Sequence, residues 1–162
     1  MIAGLSTENF TTLHVVISLI AIASGLFVLA GMLRARGLPG WTALFLLTTI
    51  LTSVTGFMFP IGGLTPGIVV GLISIVVLAV ALAALYLKRL GGAWRWIYVV
   101  TALVALYLNV FVLIVQSFQK VPALQKLAPT QSEPPFSITQ GVVLVAFLIL
   151  GTMAVRRFRP GA

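Results

Sequence analysis

The sequence predicts an all-α, polytopic membrane protein with five transmembrane helices in one bundle. Sixty per cent of its 162 residues are hydrophobic, only 7% are charged, and the mean hydropathy is +1.20. Soluble domains carry roughly 25% charged residues, so a chain of this composition is expected in a lipid bilayer. Crossing the hydrocarbon core takes about 20 apolar residues of helix, and five runs are long enough. They cover residues 13–33, 41–59, 68–87, 96–118 and 138–155.

Breaker residues and charges separate the five predicted spans. The linker 34–40 (RARGLPG) carries a proline and two glycines, the second span stops before Pro60, and residues 61–67 (IGGLTPG) are expected to turn tightly. A basic loop, residues 88–95, precedes the fourth span, and the longest connection, residues 119–137, precedes the fifth. In lipid each backbone group must be hydrogen-bonded within its own segment, so these runs are expected to be helices and the chain one domain.

The basic residues give the predicted bundle an orientation. Of the ten Lys and Arg residues, only Lys120 and Lys126 share a side with the two carboxylates, Glu8 and Glu133. Short basic loops resist translocation, so the other side is expected in the cytoplasm, with the C-terminus inside and the N-terminus outside. The residues on that basic side are Arg34, Arg36, Lys88, Arg89, Arg95, Arg156, Arg157 and Arg159.

Composition argues against several functions. The net charge of +8 sits in short flanks without a continuous basic face, so a nucleic-acid partner is not expected. The chain has no Cys, which excludes disulfides and thiolate sites, and a single His, too few for the usual three protein ligands of zinc. The two acids lie in outer segments, away from any base they would orient. We therefore expect no catalytic residue and no metal site, and an enzyme is the less favoured interpretation.

Small and hydroxyl-bearing residues predict how the helices pack. The first span places small residues on one helical face between His14 and Gly25, and the third begins with Gly67 and Gly71, four apart; such residues let backbones approach closely. The second span is dense in hydroxyls on two faces, so it is expected to be central, with these side chains bonding carbonyl groups of their own helix. The alternative is a polar permeation path. These hydroxyl residues are Thr48, Thr49, Thr52, Ser53 and Thr55.

Polar side chains within the spans are the candidate ligand-binding residues, because polar groups in a membrane are costly and are often functional. They come from four helices and lie at similar depth toward the outer side. The candidates are His14, Thr52, Thr55, Asn109, Gln116 and Gln140.

Four interpretations of these polar residues are open. The leading one is that they hold helices together and that the protein binds no cofactor. Haem would need axial ligands, for which His14 and Met58 lie at comparable depth. A quinone or another amphipathic lipid would use His and Gln as hydrogen-bonding groups beside an apolar groove. A channel or transporter usually shows intramembrane carboxylates or broken helices, and neither is evident.

The outer connection, residues 119–137, is long enough to have a role of its own. It carries Lys120, Gln131 and Glu133, which are candidate contacts for an external partner. Alternatively it is a structured connector in which Lys120 or Lys126 pairs loosely with Glu133. Between its prolines, residues 123–127 are expected to form one short amphipathic helical turn at the membrane surface.

Two stretches resemble an uncharacterised family of small, multi-pass proteobacterial inner-membrane proteins. They are LPGWTALFLLTTILTSVTGFMFP, residues 38–60, and GAWRWIYVVTALVALYLNVFVLIVQSFQKVPALQKLAPTQSEPPF, residues 92–136. The resemblance implies a bacterial inner membrane, and it implies no reaction, ligand or residue roles. In such a membrane the N-terminus that the cations place outside would be periplasmic. The expected function is a structural or accessory subunit, as a homo-oligomer or in a larger membrane complex. A redox, lipid-binding or quinone-binding protein with a periplasmic-leaflet pocket is the alternative, and a channel or transporter is less favoured.

Overall fold

Six α-helices are formed by the part of the chain that the computed structural model describes, residues 1–60 and 63–160. They are α1 (Thr7–Leu33), α2 (Pro39–Phe57), α3 (Pro66–Leu82), α4 (Trp94–Lys120), α5 (Pro122–Leu127) and α6 (Pro134–Arg157). A π-helical turn, Ala83–Leu87, extends α3. All but the short α5 are long and apolar enough to cross a membrane, and they pack together as a bundle. The predicted fold class and its five spans are therefore confirmed.

The helices extend beyond most of the predicted spans because local hydrogen bonds continue them into the flanking segments. Helix α1 begins at Thr7, six residues before the predicted span, since the Ser6 hydroxyl accepts a hydrogen bond from the Asn9 backbone N–H at 3.2 Å and caps the helix. Helix α2 instead ends at Phe57, two residues before the predicted end. The residue before Pro60 is disfavoured in helical conformation, which explains the early stop.

Helix α4 is the centre of the bundle, because it packs against α1, α2, α3, α5 and α6. Helix α2 lies between α1 and α3, so the expected contacts on both of its faces are present. Its predicted central position is nevertheless taken by α4, whose Tyr98, Ala105 and Leu106 are almost completely buried. Helix α6 is peripheral: of its 24 residues only Ala154 is buried.

Two glycines set the distances between helices. A Cβ atom at Gly25 would lie 2.6 Å from Cδ1 of Leu106 and 2.9 Å from the ring of Phe45, so α1 approaches both α4 and α2 at this point. At Gly71 a Cβ would lie 2.7 Å from the ring of Phe57, so α3 meets α2 there. The small face predicted for α1 is confirmed, whereas Gly67 makes no close helix contact.

The bundle has two chemically different ends. We call the end that carries the eight cations of residues 34–36, 88–95 and 156–159 the basic end, and the opposite end, which carries α5, the loop end. The Arg157 guanidinium donates a hydrogen bond to the Leu33 carbonyl at 3.4 Å, which joins the last turns of α6 and α1 at the basic end. The helices thus alternate in direction as the sequence predicts.

Candidate functional site

His14 of α1 is bonded to Thr55 of α2, with 2.7 Å between Nδ1 and Oγ1. The Thr55 hydroxyl donates its own proton to the Leu51 carbonyl at 2.7 Å, so it accepts from His14. A neutral imidazole has one N–H, and this contact places it on Nδ1 and leaves Nε2 as an acceptor. The ring also packs edge-to-face on Phe59, with 5.4 Å between ring centroids. The polar contact therefore joins α1 to α2 at the loop end, and the aromatic contact joins α1 to the segment that follows α2.

Asn109 of α4 is bonded to α2 at a different point. Its Nδ2 donates to the Thr49 hydroxyl oxygen at 3.2 Å, and Thr49 is completely buried. From the sequence, Thr49 is expected only among the packing hydroxyls, and nothing identifies it as the partner of Asn109. Thr52, which it did select, donates to the Thr48 carbonyl of its own helix at 2.9 Å.

Gln140 joins α6 to α4. Its Nε2 donates to the carbonyl oxygen of Phe111 at 3.3 Å. Its Oε1 is buried and accepts no hydrogen bond from the residues that the structure describes. A buried amide oxygen without a donor is destabilising by about 1–3 kcal/mol, so this atom is a natural acceptor for a bound hydroxyl or N–H group.

The six predicted residues do not form one shared hydrogen-bonded cluster. The bonds of His14, Asn109 and Gln140 divide them among the α1–α2, α2–α4 and α4–α6 contacts. Gln116 is exposed on α4. Met58, the second residue considered for haem, is 42% exposed just beyond α2. Haem ligation by His14 would use Nε2, because Nδ1 is engaged by Thr55.

Metal-binding side chains are not grouped in the described ranges 1–60 and 63–160, where no three His, Cys, Asp or Glu residues come together. The polar contacts described above are made instead by hydroxyl, amide and imidazole groups. Their chemistry is hydrogen bonding between helices.

The connection formed by residues 119–137 is a folded connector at the loop end. Helix α5, Pro122–Leu127, confirms the predicted short turn. Gln131 donates to the Val115 carbonyl at 2.8 Å and accepts from the Gln119 amide at 3.2 Å, which ties the connection to α4. Lys120 is exposed in the last turn of α4.

Glu133 caps a turn, and the alternative, a loose pairing with Lys120 or Lys126, is not formed. Its carboxylate accepts from the Thr130 hydroxyl at 2.8 Å and from the backbone N–H groups of Thr130 and Ser132, both at 3.1 Å. Desolvation raises the pKa of Glu133, but these hydrogen bonds outweigh it and hold the pKa below the ordinary glutamate value. Desolvation is the largest single cause, but several hydrogen bonds stabilise the ionised form and their combined effect is larger.

Arg95 has a structural role that the sequence did not reveal. Its Nη1 donates to the carbonyl oxygens of Val155 at 2.9 Å and Phe158 at 2.6 Å, in the last turn of α6 and just beyond it. The last carbonyl groups of a helix lack hydrogen-bond donors within the helix and carry partial negative charge. A guanidinium supplies both the missing donors and a positive charge. The sequence predicts for Arg95 only that it helps to keep its loop on the cytoplasmic side.

An apolar groove of about 380 Å³ lies between α4 and α6 in the half of the bundle next to the basic end. Its walls include Leu103, Tyr107, Leu148 and Gly151, and Arg156 lines the part of the groove nearest the basic end. This groove was not predicted, because it depends on which faces of the two helices meet. No family model, curated protein or solved structure matches this chain.

Proposed function

We propose that this chain is a non-catalytic structural or accessory subunit of a bacterial inner membrane, acting as a homo-oligomer or within a larger complex. The bilayer surrounds it, its N-terminus is periplasmic and its C-terminus cytoplasmic. The orientation is supported by the eight cations of the basic end, since short basic loops are retained in the cytoplasm. The resemblance of residues 38–60 and 92–136 to proteobacterial inner-membrane proteins supports the choice of membrane.

The proposal rests on the hydrogen bonds that the polar side chains of the apolar helices make. His14, Asn109 and Gln140 each join a different pair of helices, so the groups best able to perform chemistry are engaged in packing. Interhelical hydrogen bonds of this kind contribute about 0.6 kcal/mol each. Together they favour a fixed scaffold over a solvated path or a reaction centre.

The proposal is tested by isolating the protein from its native membrane in mild detergent. Two copies of the chain with different affinity tags are expressed together. The protein is captured through one tag, and the captured material is probed for the other. We expect either co-capture of the second copy or a reproducible larger complex in native mass spectrometry. A solitary monomer that retains a stoichiometric cofactor would contradict the proposal.

The orientation has its own test. Alkaline phosphatase, which is active only outside the cytoplasm, is fused after Ala162 and, as a matched control, after Ala128 in the outer connection. We expect activity from the second fusion and none from the first. The reverse pattern would overturn the orientation without affecting the number of spans.

A second candidate function rests on Gln140. Its buried and unpartnered Oε1 suits a ligand that donates a hydroxyl proton, such as a quinol. Organic extraction of the purified protein tests this: a redox lipid recovered from the unaltered chain and lost in Gln140→Leu would favour it. Gln116→Leu, a change at an exposed amide, is the control. Extracts free of quinone or other redox lipid would remove this candidate.

A further inference from the structure

The groove between α4 and α6 has the shape of a site for a single extended chain. It is lined on α6 from Leu144 to Arg156, twelve positions apart, which corresponds to roughly 18 Å along a helix. One leaflet contributes about half of the ~30 Å hydrocarbon core, so the two lengths are similar. The volume of about 380 Å³ is typical of a site for a small molecule.

The two helices that line the groove are joined at several points along it. Near the basic end, Ala154 is completely buried and Arg95 fixes the last carbonyl groups of α6. Toward the middle of the bundle, Tyr107 and Phe147 meet edge-to-face with 5.5 Å between ring centroids. Gly151 lacks a side chain between these points; a Cβ there would lie 3.6 Å from Cδ1 of the buried Leu103, so a larger residue would fill this part of the groove.

One cation at the mouth of the groove is not used elsewhere. Arg95 donates to the carbonyl groups at the end of α6, and Arg157 donates to the Leu33 carbonyl. The exposed Arg156 lines the groove, and its guanidinium makes no hydrogen bond within residues 1–60 and 63–160. The only two acidic side chains of the chain, Glu8 and Glu133, belong to the loop end, so no acidic side chain competes for it. A phosphate is the anion that a guanidinium binds well at this depth.

We propose that this groove binds one acyl chain of an anionic phospholipid and that Arg156 binds the phosphate of the same molecule. Basic pockets between transmembrane helices bind anionic headgroups in this way. The site requires only that the bundle is embedded in a bilayer and is independent of whether the chain is an accessory subunit. It lies toward the opposite end of the bundle from the pocket that the sequence suggests around His14 and Gln140.

The test uses the full chain in an uncharged detergent, titrated with palmitoyl-oleoyl phosphatidylglycerol and, separately, with phosphatidylcholine carrying the same chains. Native mass spectrometry counts the bound lipids. We expect one tightly held phosphatidylglycerol and several-fold weaker binding of phosphatidylcholine. Arg156→Gln is expected to weaken phosphatidylglycerol roughly fivefold, the equivalent of one surface cation, and to weaken phosphatidylcholine less, because the choline ammonium of that lipid already offsets its phosphate. Arg36→Gln, at an exposed arginine in the linker between α1 and α2, is the charge-matched control.

A second pair of variants tests the acyl-chain part of the site. Leu148→Trp fills the groove, whereas Ile149→Trp adds the same side chain to a neighbouring α6 position outside it; the two residues are 61% and 56% exposed. We expect only the first to reduce lipid binding, with both variants as helical as the unaltered chain. Should Leu148→Trp fail to fold, the comparison of Arg156→Gln with Arg36→Gln still tests the proposal.

Several results would overturn the proposal. They are equal binding of the two lipids, equal effects of Arg156→Gln and Arg36→Gln, or equal effects of the two tryptophan variants. Competition by inorganic phosphate at matched concentration would point to a free-anion site. Loss of a dimer peak in Leu148→Trp, without loss of lipid, would show that a second copy fills the groove.

Discussion

Arg95 of α4 and Phe158, the residue that follows α6, are joined by a hydrogen bond of 2.6 Å from the guanidinium to the backbone carbonyl oxygen. The same Nη1 reaches the Val155 carbonyl. Helix α6 buries only Ala154, so apolar packing alone holds it weakly. A charged donor that satisfies two carbonyl oxygens at the helix end therefore fixes the position of α6 against α4.

Arg95→Gln is expected to destabilise the bundle by about 1.5–3 kcal/mol, the usual contribution of hydrogen bonds to a charged group. Unfolding in a denaturing detergent, followed by circular dichroism, measures the change. Arg36→Gln removes a comparable charge from the basic end without this contact and is expected to have little effect. Equal losses in the two variants would mean that the charge, and not its geometry, matters.

Gly25→Ala is expected to destabilise the protein by about 1–3 kcal/mol through overpacking. The added methyl group would overlap Leu106 and Phe45, which are buried to within 1% of complete and have no space to move into. Gly141→Ala is the control, because a Cβ there meets nothing within 4 Å, and higher helix propensity should make it neutral or stabilising. Thermal unfolding of the two variants side by side provides the comparison, and equal melting temperatures would contradict the close approach of α1 to α4.

The imidazole of His14 is expected to carry its proton on Nδ1 when it is neutral, because the Thr55 hydroxyl is already committed as a donor to Leu51. Nitrogen chemical shifts distinguish the two tautomers, and the single His of the chain makes the signal unambiguous. Thr55→Val should abolish the preference, whereas Thr55→Ser should preserve it. A proton found on Nε2 in the unaltered chain would show that this contact does not orient the ring.

Glu133 is expected to titrate below the ordinary glutamate value of about 4.3, because Thr130 and Ser132 donate hydrogen bonds to its ionised form. Its contribution to the folded connection is fully present above that value and is lost as the pH falls through the lower folded pKa. Carboxyl carbon shifts follow the titration, with Glu133→Gln assigning the signal. In Thr130→Val the pKa should rise, since the hydroxyl donor is gone. A midpoint at or above the ordinary value would contradict the cap.

Depth along the membrane was predictable, and rotation about each helix axis was not. Apolar length and flanking charge determine where each helix crosses, which is why the five spans are confirmed. His14 and Gln140 were correctly assigned to the loop-end half, yet one faces α2 and the other faces α4. A side chain's partner depends on which helix is its neighbour, and nothing in the spacing of polar residues specifies that. The role of Arg95 could not be predicted for the same reason.

The uneven distribution of cations has an electrical consequence. The guanidinium and ammonium groups of residues 34–36, 88–95 and 156–159 all lie at the end opposite to α5. Across an energised membrane, each unit charge moved through the full field changes the energy by about 2.3 kcal/mol per 100 mV. A negative interior therefore pulls on every one of these groups in the same direction, and in the proposed orientation the membrane potential would resist inversion of the molecule after insertion.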